Sequence, residues 1–183
     1  MIFHLVLLCW GTTVTYAQNY VNNFDQEFSF TCDHPYQTIS HVESIHDNGA
    51  EDRRFAFGCR DVLPDQKGSR PQCYWSGFEN QYDLPVVFQC PRNNYINGMG
   101  SVHDNGAEDR IWKFYCCQLP DIHMFDCSFT DWTNVFDGAQ NFNSPDGLVM
   151  KGMDSYHDNN FEDRRFKYEL CTPYVMDGLI VVG

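Results

Sequence analysis

Three stretches of the chain carry one phrase: Ser44–Cys59 reads SIHDNGAEDRRFAFGC, Ser101–Cys116 reads SVHDNGAEDRIWKFYC, and Ser155–Cys171 reads SYHDNNFEDRRFKYELC. Their shared pattern is S-x-H-D-N-x-x-E-D-R-x-[FW]-x-[FY]. Its second aspartate recurs at positions 52, 109 and 163, which are 57 and then 54 residues apart. A repeat of this period predicts one supersecondary unit that is used three times.

The repeated unit extends upstream of the phrase. Each copy has an aromatic residue, an asparagine, a second aromatic residue and an aspartate, and the asparagines are Asn22, Asn80 and Asn134. The units therefore cover about residues 20–60, 78–118 and 132–172. Two connectors, Asp61–Gly77 and Leu119–Asp131, join them, and the Pro- and Gly-containing first connector is typical of a surface loop.

The ends and the charge of the chain indicate a compartment. Met1–Ala17 has a short apolar stretch followed by small residues, which predicts a secretory signal peptide and a mature domain over residues 18–183. No stretch is long enough to predict a transmembrane helix. The net charge of −13 argues against nucleic acid as a partner, because phosphate binding needs a basic surface.

Eight cysteines follow the predicted signal peptide, which indicates four disulfides in an oxidising compartment. The third unit has Ser144 and Leu170 where the other units have cysteines, so Cys171 should pair with Cys127. Symmetry then predicts Cys32–Cys59 in the first unit. In the middle unit we expect the pairs Cys90–Cys117 and Cys73–Cys116, and Cys90–Cys116 remains an equally acceptable alternative.

The residue pattern predicts an all-β domain. Aromatic and β-branched residues alternate with polar ones, and no segment has a sustained helical period. We expect four strands in each unit, in the first at Tyr20–Phe24, Glu27–Cys32, Thr38–His46 and Arg53–Arg60. The fold class is therefore a single disulfide-rich all-β domain with pseudo-threefold symmetry, of β-trefoil or β-prism type.

Side chains on the last strand of each unit alternate between two faces. The face with the repeated residues should be buried, and the other face varies between units. We expect each arginine to pack over an aromatic ring and to bond a carboxylate or a turn carbonyl. The alternative is an exposed arginine that grips an acidic ligand. The residues of this structural motif are Asp52, Arg53, Phe55, Asp109, Arg110, Trp112, Asp163, Arg164 and Phe166.

The turns between the last two strands are candidates for ligand binding. They combine carboxylates and amides near aromatic residues, a composition that suits several weak sugar contacts. The ligand-binding candidates are Asp47, Asn48, Glu51, Asp104, Asn105, Glu108, Asp158, Asn159 and Glu162.

Metal and catalytic sites are weakly indicated. The equivalent residues His46, His103 and His157 could converge on a metal at the pseudo-threefold axis, but each could instead cap its own hairpin. Ca²⁺ could bind the oxygens of the repeated loop, which in the first unit belong to Asp47, Glu51 and Asp52, although their spacing is not that of the twelve-residue calcium loop with ligands at alternate positions. We therefore expect no cofactor, with Ca²⁺ as an alternative, and no metal ligands. We also expect that the protein is not an enzyme. Its carboxylates occur in three equivalent copies, whereas an active site usually needs one asymmetric set of acid, base and stabilising group.

The three D-R-x-[FW]-x-[FY] segments with their cysteines, including the double Cys116-Cys117, resemble the dermatopontin family of secreted extracellular-matrix proteins. The H-D-N-G-x-E-D-R form is most similar to invertebrate members of the hemagglutinin/amebocyte aggregation factor type. The resemblance covers all three units and implies disulfides within units. This chain lacks the tyrosine-rich N-terminal stretch that vertebrate members of the family have.

The resemblance implies a secreted, non-enzymatic adhesion protein of the extracellular matrix. Such a protein would bind cell-surface or matrix glycans and proteoglycans and act as a lectin, agglutinin or cell-aggregation factor. The alternatives are a matrix scaffold that binds collagen or a proteoglycan core protein, and a cytotoxin. The sequence leaves open whether the chain forms a homo-oligomer.

Overall fold

The structure is a computed structural model that describes residues 19–64 and 70–175. The expected signal peptide lies outside the described residues. Within them the chain forms strands and no helix, which confirms the all-β prediction. The strands are β1 (Phe28–Thr31), β2 (Gln37–Asp47), β3 (Asp52–Asp61), β4 (Gln72–Trp75), β5 (Val86–Gln89), β6 (Tyr95–Asp104), β7 (Asp109–Gln118), β8 (Ile122–Phe129), β9 (Gln140–Asn143), β10 (Val149–Asp158) and β11 (Asp163–Val175).

Each unit consists of a short strand followed by a long antiparallel hairpin. The hairpins are β2–β3, β6–β7 and β10–β11. The short strand of each unit does not pair with its own hairpin: β1 pairs with β6, β5 with β10, and β9 with β2. Every unit therefore gives one strand to another unit's hairpin, and the three exchanges close a ring. Assignment to the trefoil or prism type stays a prediction, since this strand order alone establishes neither.

The first connector was predicted to be a surface loop, and this prediction is wrong for Gln72–Trp75, which form β4. β4 lies in the first connector and pairs with β7, and β8 lies in the second and pairs with β11. Each adds an edge strand to a hairpin, which gives two four-stranded sheets, while the sheet β3–β2–β9 has three strands. Both strands carry a cysteine that bonds to the hairpin strand beside it.

The predicted first strand of each unit is not a strand. In the first unit, residues 20–24 run beside β3 and contribute one main-chain hydrogen bond, from Val21 N to Phe55 O at 2.7 Å. The side chain of Asn22 takes the place of further strand pairing. Its Oδ1 accepts from Phe55 N and its Nδ2 donates to Arg53 O, both at 2.9 Å. Asn80 and Asn134 make the same two bonds in the other units.

The core lies inside the ring of hairpins. Phe55, Trp112 and Phe166 are each 1% exposed and meet one another with ring centroids 5.2 to 6.0 Å apart. One such ring comes from each unit, so together they form the centre of the domain. Phe114 and Tyr168 on the same strand faces are also buried, while the equivalent Phe57 is partly exposed.

The four disulfides correct the expected pairing in the middle unit. The bonds are Cys32–Cys59, Cys90–Cys116, Cys73–Cys117 and Cys127–Cys171. The expected pairs Cys90–Cys117 and Cys73–Cys116 are therefore wrong, and the alternative Cys90–Cys116 is right. Strand alternation explains the result. Cys116 points to the same face as Trp112 and Phe114, whereas Cys117 points to the other face and lies opposite Cys73 on β4.

Candidate functional site

Three buried arginine–aspartate pairs form a ring at one end of the domain. Each arginine donates from Nε and from one terminal nitrogen to both oxygens of one carboxylate, at 2.5 to 2.7 Å. The partners belong to different units: Arg53 bonds Asp163, Arg110 bonds Asp52, and Arg164 bonds Asp109. All six side chains are 1–4% exposed. The ring therefore joins the three units at the base of their hairpin turns.

The members of this ring use most of their bonding capacity within the protein, although Nη1 of Arg164 is buried without a hydrogen-bond partner among the described residues. One terminal nitrogen of each arginine also donates to a main-chain carbonyl, in turn that of Gly138, Gln26 and Leu84. Each carboxylate also accepts a main-chain N–H from a residue with positive φ, namely Asp25, Asp83 or Asp137. The adjacent aspartate and arginine of each repeat therefore hold the units together, and none of these three arginines is exposed.

The pKa of the Asp163 carboxyl reflects its charged neighbours in the ring. Burial by itself would raise the pKa of this carboxyl. The hydrogen bonds and positive charge of His46 and Arg53 outweigh burial and lower the pKa to about 2. The carboxylate is therefore ionised across the physiological range, as an ion pair of this kind requires.

A histidine and two further carboxylates lie beside each ion pair. The imidazoles of His46, His103 and His157 are 0–1% exposed. Each lies between an aspartate of another unit, which we call the outer aspartate (Asp25, Asp83 or Asp137), and the glutamate of its own hairpin turn. For His46 these are Asp137 and Glu51, whose oxygens are 3.7 and 3.6 Å from Nε2. We call these three places the junctions.

The imidazoles do not converge on the axis. No group of three histidines within ligand distance of one another is found in residues 19–64 and 70–175. Burial lowers the pKa of His46, but the hydrogen bond and charge of Asp163 outweigh burial, so the pKa lies above the ordinary histidine value. Instead of one central site, the repeat creates three separate histidine–carboxylate groups.

The hairpin turns separate the residues that the sequence grouped as ligand candidates. Asp47 Oδ1 accepts the main-chain N–H of Gly49 and of Ala50, so this carboxylate holds its own turn together. Asp104 does the same in the second turn, and Asp158 bonds Asn160 in the third. The side chains at the tips, Asn48, Asn105 and Asn159, are exposed.

The glutamates of the turns face the axis. Glu51, Glu108 and Glu162 all have positive φ, from 44 to 48°, and they line an axial cavity of about 20 Å³ above the ion-pair ring. Such a cavity has room for about one water molecule. The proposed calcium set of Asp47, Glu51 and Asp52 is therefore split between the turn, the junction and the buried ring, and Ca²⁺ binding by it stays a hypothesis.

The outward faces of β3, β7 and β11 carry a different cluster. In each unit a cation lies over aromatic rings. The Arg54 guanidinium carbon is 4.6 Å from the Tyr20 ring centroid and 4.8 Å from that of Phe24. Lys113 Nζ is 5.0 and 5.7 Å from the rings of Trp75 and Phe78. We call these surfaces the aromatic–cation faces.

The third aromatic–cation face is the largest. Arg165 and Lys167 lie 4.8 and 4.3 Å from the ring of Trp132. Phe136 continues the surface and stacks on Phe161 at 4.7 Å, and Phe161 is 43% exposed. Aromatic rings and positive charge thus share a solvent-facing surface of an acidic protein.

Sequence reasoning kept the aromatic residues near Trp75, Phe78 and Trp132 only as an alternative site in case the turns do not bind, and it selected neither the cations beside them nor the outer aspartates. The faces had a usable signal, because Arg54, Lys113, Arg165 and Lys167 alternate with the buried positions of the last strand. Their variation between units hid their shared chemistry. Asp25, Asp83 and Asp137 also recur at one repeat position, but their contacts are with other units and cannot be derived from spacing within one unit.

Comparison with known proteins gives one family. The family model described as dermatopontin matches residues 22–175. The chain is 37% identical over 162 residues to hemagglutinin/amebocyte aggregation factor of Limulus polyphemus, covering 87% of this chain and 91% of that protein. It is 37% identical over 152 residues to dermatopontin of Biomphalaria glabrata, covering 83% of this chain and 99% of that protein.

A third relative is Millepora cytotoxin-1 of Millepora dichotoma, 35% identical over 159 residues, covering 86% of this chain and 68% of the relative. None of these three names is that of an enzyme. No solved structure matches the chain significantly. Among the described residues no helix is long and apolar enough to cross a membrane.

Proposed function

The chain belongs to the dermatopontin family, and from that premise we propose that it is a secreted agglutinin of the extracellular matrix that binds glycans at its three aromatic–cation faces. The observation that carries this proposal is the recurrence of one surface chemistry in all three units. The family supports a matrix or agglutinin role, and the faces supply a physical means of binding sugars.

The chemistry of the faces suits an acidic saccharide. The C–H face of a sugar ring is apolar and can stack on an aromatic side chain, whose large rigid surface loses little conformational freedom on binding. A lysine or arginine beside the ring can bond a carboxylate or sulfate group of the same sugar. The face with Trp132, Arg165 and Lys167 has both elements within 5 Å of each other. Glycans of cell surfaces and of matrix proteoglycans offer such groups.

The arrangement of the faces suits agglutination. The inward sides of the three hairpins meet at the core, so their outward sides point away from a common axis. Three weak sites on one chain can therefore engage separate cells, and their combined avidity exceeds the affinity of any one of them. Agglutination by this means does not require the chain to form an oligomer.

The hairpin tips are a second candidate surface for sugars. Asn48, Asn105 and Asn159 are exposed there, and amide groups are common donors and acceptors to hydroxyl groups. The aspartates of the same turns already accept hydrogen bonds within the turn, which leaves them less able to bind a ligand. We therefore place the main contacts on the faces.

The test combines a glycan array with agglutination of erythrocytes or haemocytes. One variant removes the cations of all three faces, through Arg54→Gln, Lys113→Gln, Arg165→Gln and Lys167→Gln. It should agglutinate at least about tenfold less well because several contacts are lost at once, with an unchanged circular dichroism spectrum. The matched control is Arg70→Gln, an exposed arginine outside the faces, which should behave as the native chain.

A tip variant with Asn48→Ala, Asn105→Ala and Asn159→Ala distinguishes the two surfaces. Loss of binding in the tip variant alone would transfer the site to the hairpin tips. Absence of binding to any glycan would refute the proposal. Capture of collagen or core protein after deglycosylation would then favour the matrix scaffold, and lysis of cells by the pure protein would favour a cytotoxin.

A further inference from the structure

One ring nitrogen of each junction histidine lacks a hydrogen-bond partner. Nε2 of His46, of His103 and of His157 is buried without one among the residues that the structure describes. Buried polar atoms normally have a partner. Three equivalent side chains with the same deficiency point to a group that the repeat is built to receive.

The neighbours of each imidazole are oxygen ligands. At the first junction, His46 Nε2 is 3.6 Å from Glu51 Oε2 and 3.7 Å from Asp137 Oδ1. These separations are longer than a normal hydrogen bond, which spans about 2.7–3.2 Å. Two donors that each lie about 2.1 Å from one tetrahedral zinc ion are separated by about 3.4 Å. The observed spacing is therefore close to that of ligands on a common ion.

The other nitrogen of His46 has the surroundings that metal-bound histidines usually have. Nδ1 lies 3.3 Å from Asp163 Oδ1, and that carboxylate is fixed by Arg53. A carboxylate behind the imidazole sets the tautomer, so that the proton is on Nδ1 and the lone pair of Nε2 faces the two other ligands.

The other two junctions bring together the same residue types. An imidazole nitrogen, an outer carboxylate oxygen and an inner carboxylate oxygen lie within 4.8 Å of one another in the groups Asp25–Asp52–His103 and Asp83–Asp109–His157. The glutamates lie beside Nε2: Glu108 Oε2 is 3.9 Å from His103 Nε2, and Glu162 Oε2 is 3.6 Å from His157 Nε2. The outer aspartates here lie beside Nδ1, with Asp25 Oδ1 3.7 Å from His103 Nδ1 and Asp83 Oδ1 3.4 Å from His157 Nδ1. Each junction therefore offers an imidazole and two carboxylates besides the one that bonds the arginine, and at the second and third junctions the ring must rotate for one nitrogen to face both.

We propose that the three junctions bind divalent transition-metal ions such as Zn²⁺, each held by a buried histidine, the glutamate of the same hairpin and the outer aspartate of another unit. The ligand sets are His46–Glu51–Asp137, His103–Glu108–Asp25 and His157–Glu162–Asp83. Imidazole favours zinc and its neighbours over calcium. Because each set spans two units, a bound ion fastens them together beside their ion pair. This inference does not depend on glycan binding.

The experiment measures zinc binding by the secreted full-length chain after removal of metals with EDTA. Equilibrium dialysis against ZnCl₂ with elemental analysis should give three ions per chain, and zinc should raise the melting temperature. Co²⁺, used as a coloured substitute, should give visible absorption bands typical of a low-coordinate nitrogen–oxygen site.

Variants locate the ions. His46→Gln should remove one ion of three, and Glu51→Gln should weaken that site at least about tenfold without affecting folding, because its side chain is 35% exposed. The matched control is His41→Gln. His41 Nε2 also lies 3.7 Å from a glutamate oxygen, but this side chain is 30% exposed and lies outside the junctions.

The variant with Glu51→Gln, Glu108→Gln and Glu162→Gln decides the matter. One to three ions that are lost in this variant support the junction sites. The proposal would be overturned if the native chain bound less than one ion, or if this variant bound as many ions as the native chain. It would also be overturned if the sites bound Ca²⁺ and His46→Gln did not change that binding.

Discussion

Replacing Arg110 by methionine should destabilise the domain strongly. The substitution keeps an unbranched apolar stem but removes both bonds to Asp52, at 2.6 and 2.7 Å, and the bond to Gln26 O. The Asp52 carboxylate, whose side chain is 1% exposed, is then left buried without its counter-charge. Breaking one partner of a buried pair costs about 3–5 kcal/mol, a large part of the roughly 5–15 kcal/mol that stabilises a typical domain.

Guanidinium chloride unfolding, followed by tryptophan fluorescence with the disulfides intact, measures this loss. With a slope of about 4 kcal/mol per molar, a loss of about 4 kcal/mol lowers the midpoint by about 1 M. The control is Arg54→Met, because Arg54 is the next residue after Arg53 on β3 but faces solvent over Tyr20 and Phe24. It should lower stability by less than about 1 kcal/mol.

A double variant separates the loss of the ion-pair attraction from the cost of leaving the Asp52 carboxylate buried and unpaired. Arg110→Met combined with Asp52→Leu removes both charges and should be more stable than Arg110→Met alone, since apolar replacement of a buried pair is often tolerated. A loss below about 1 kcal/mol in the single variant, or a double variant that is the less stable of the two, would refute the structural role argued for the ring.

Three further outcomes are expected. Trp112→Ala should cost about 3–5 kcal/mol by cavity formation at the centre of the core, measured by the same unfolding assay; a loss near zero would contradict the assigned burial. Reduction and alkylation should lower the melting temperature by well over ten degrees, because each of the four bridges contributes roughly 2–4 kcal/mol; non-reducing peptide maps should show Cys90–Cys116 and Cys73–Cys117. In EDTA, Asp163 should contribute roughly 2–3 kcal/mol above pH 4 that is lost as the pH falls towards 2, because its folded pKa lies below its unfolded value; Asp163→Asn should lack this acid-dependent part of the unfolding free energy.

Features within one unit could be predicted from the sequence. The all-β class follows from two-residue alternation, and Cys127–Cys171 follows from the paired losses at Ser144 and Leu170. The disulfide pairing that we predicted for the middle unit was wrong, although the sequence contained the information needed to predict it. Cys116 lies seven residues after Asp109, as Cys59 does after Asp52, so both must point to the same side of their strands.

Features between units could not be predicted. The partner of Arg53 is Asp163, 110 residues away, and local spacing alone cannot distinguish it from the adjacent Asp52. The exchange of β1, β5 and β9 is equally hidden, since a short strand reads the same whichever hairpin it joins. Asn22 was seen as a repeated residue, but its role as a substitute for strand pairing depends on the path of the chain beside β3.

The exchanged strands also make the domain an assembly in which no unit is complete alone. A chain that lacked its third unit would leave β2 without β9 and β5 without β10, which exposes two strand edges that are complementary to the missing partners. Such edges can be satisfied by another copy of the chain, so truncated or partly folded molecules should associate by swapping strands. By the same logic, three separate copies of an idealised unit could close the ring as a homotrimer, and sedimentation of an isolated unit would test this. The single chain achieves with three linked copies what a symmetric oligomer achieves with three free ones.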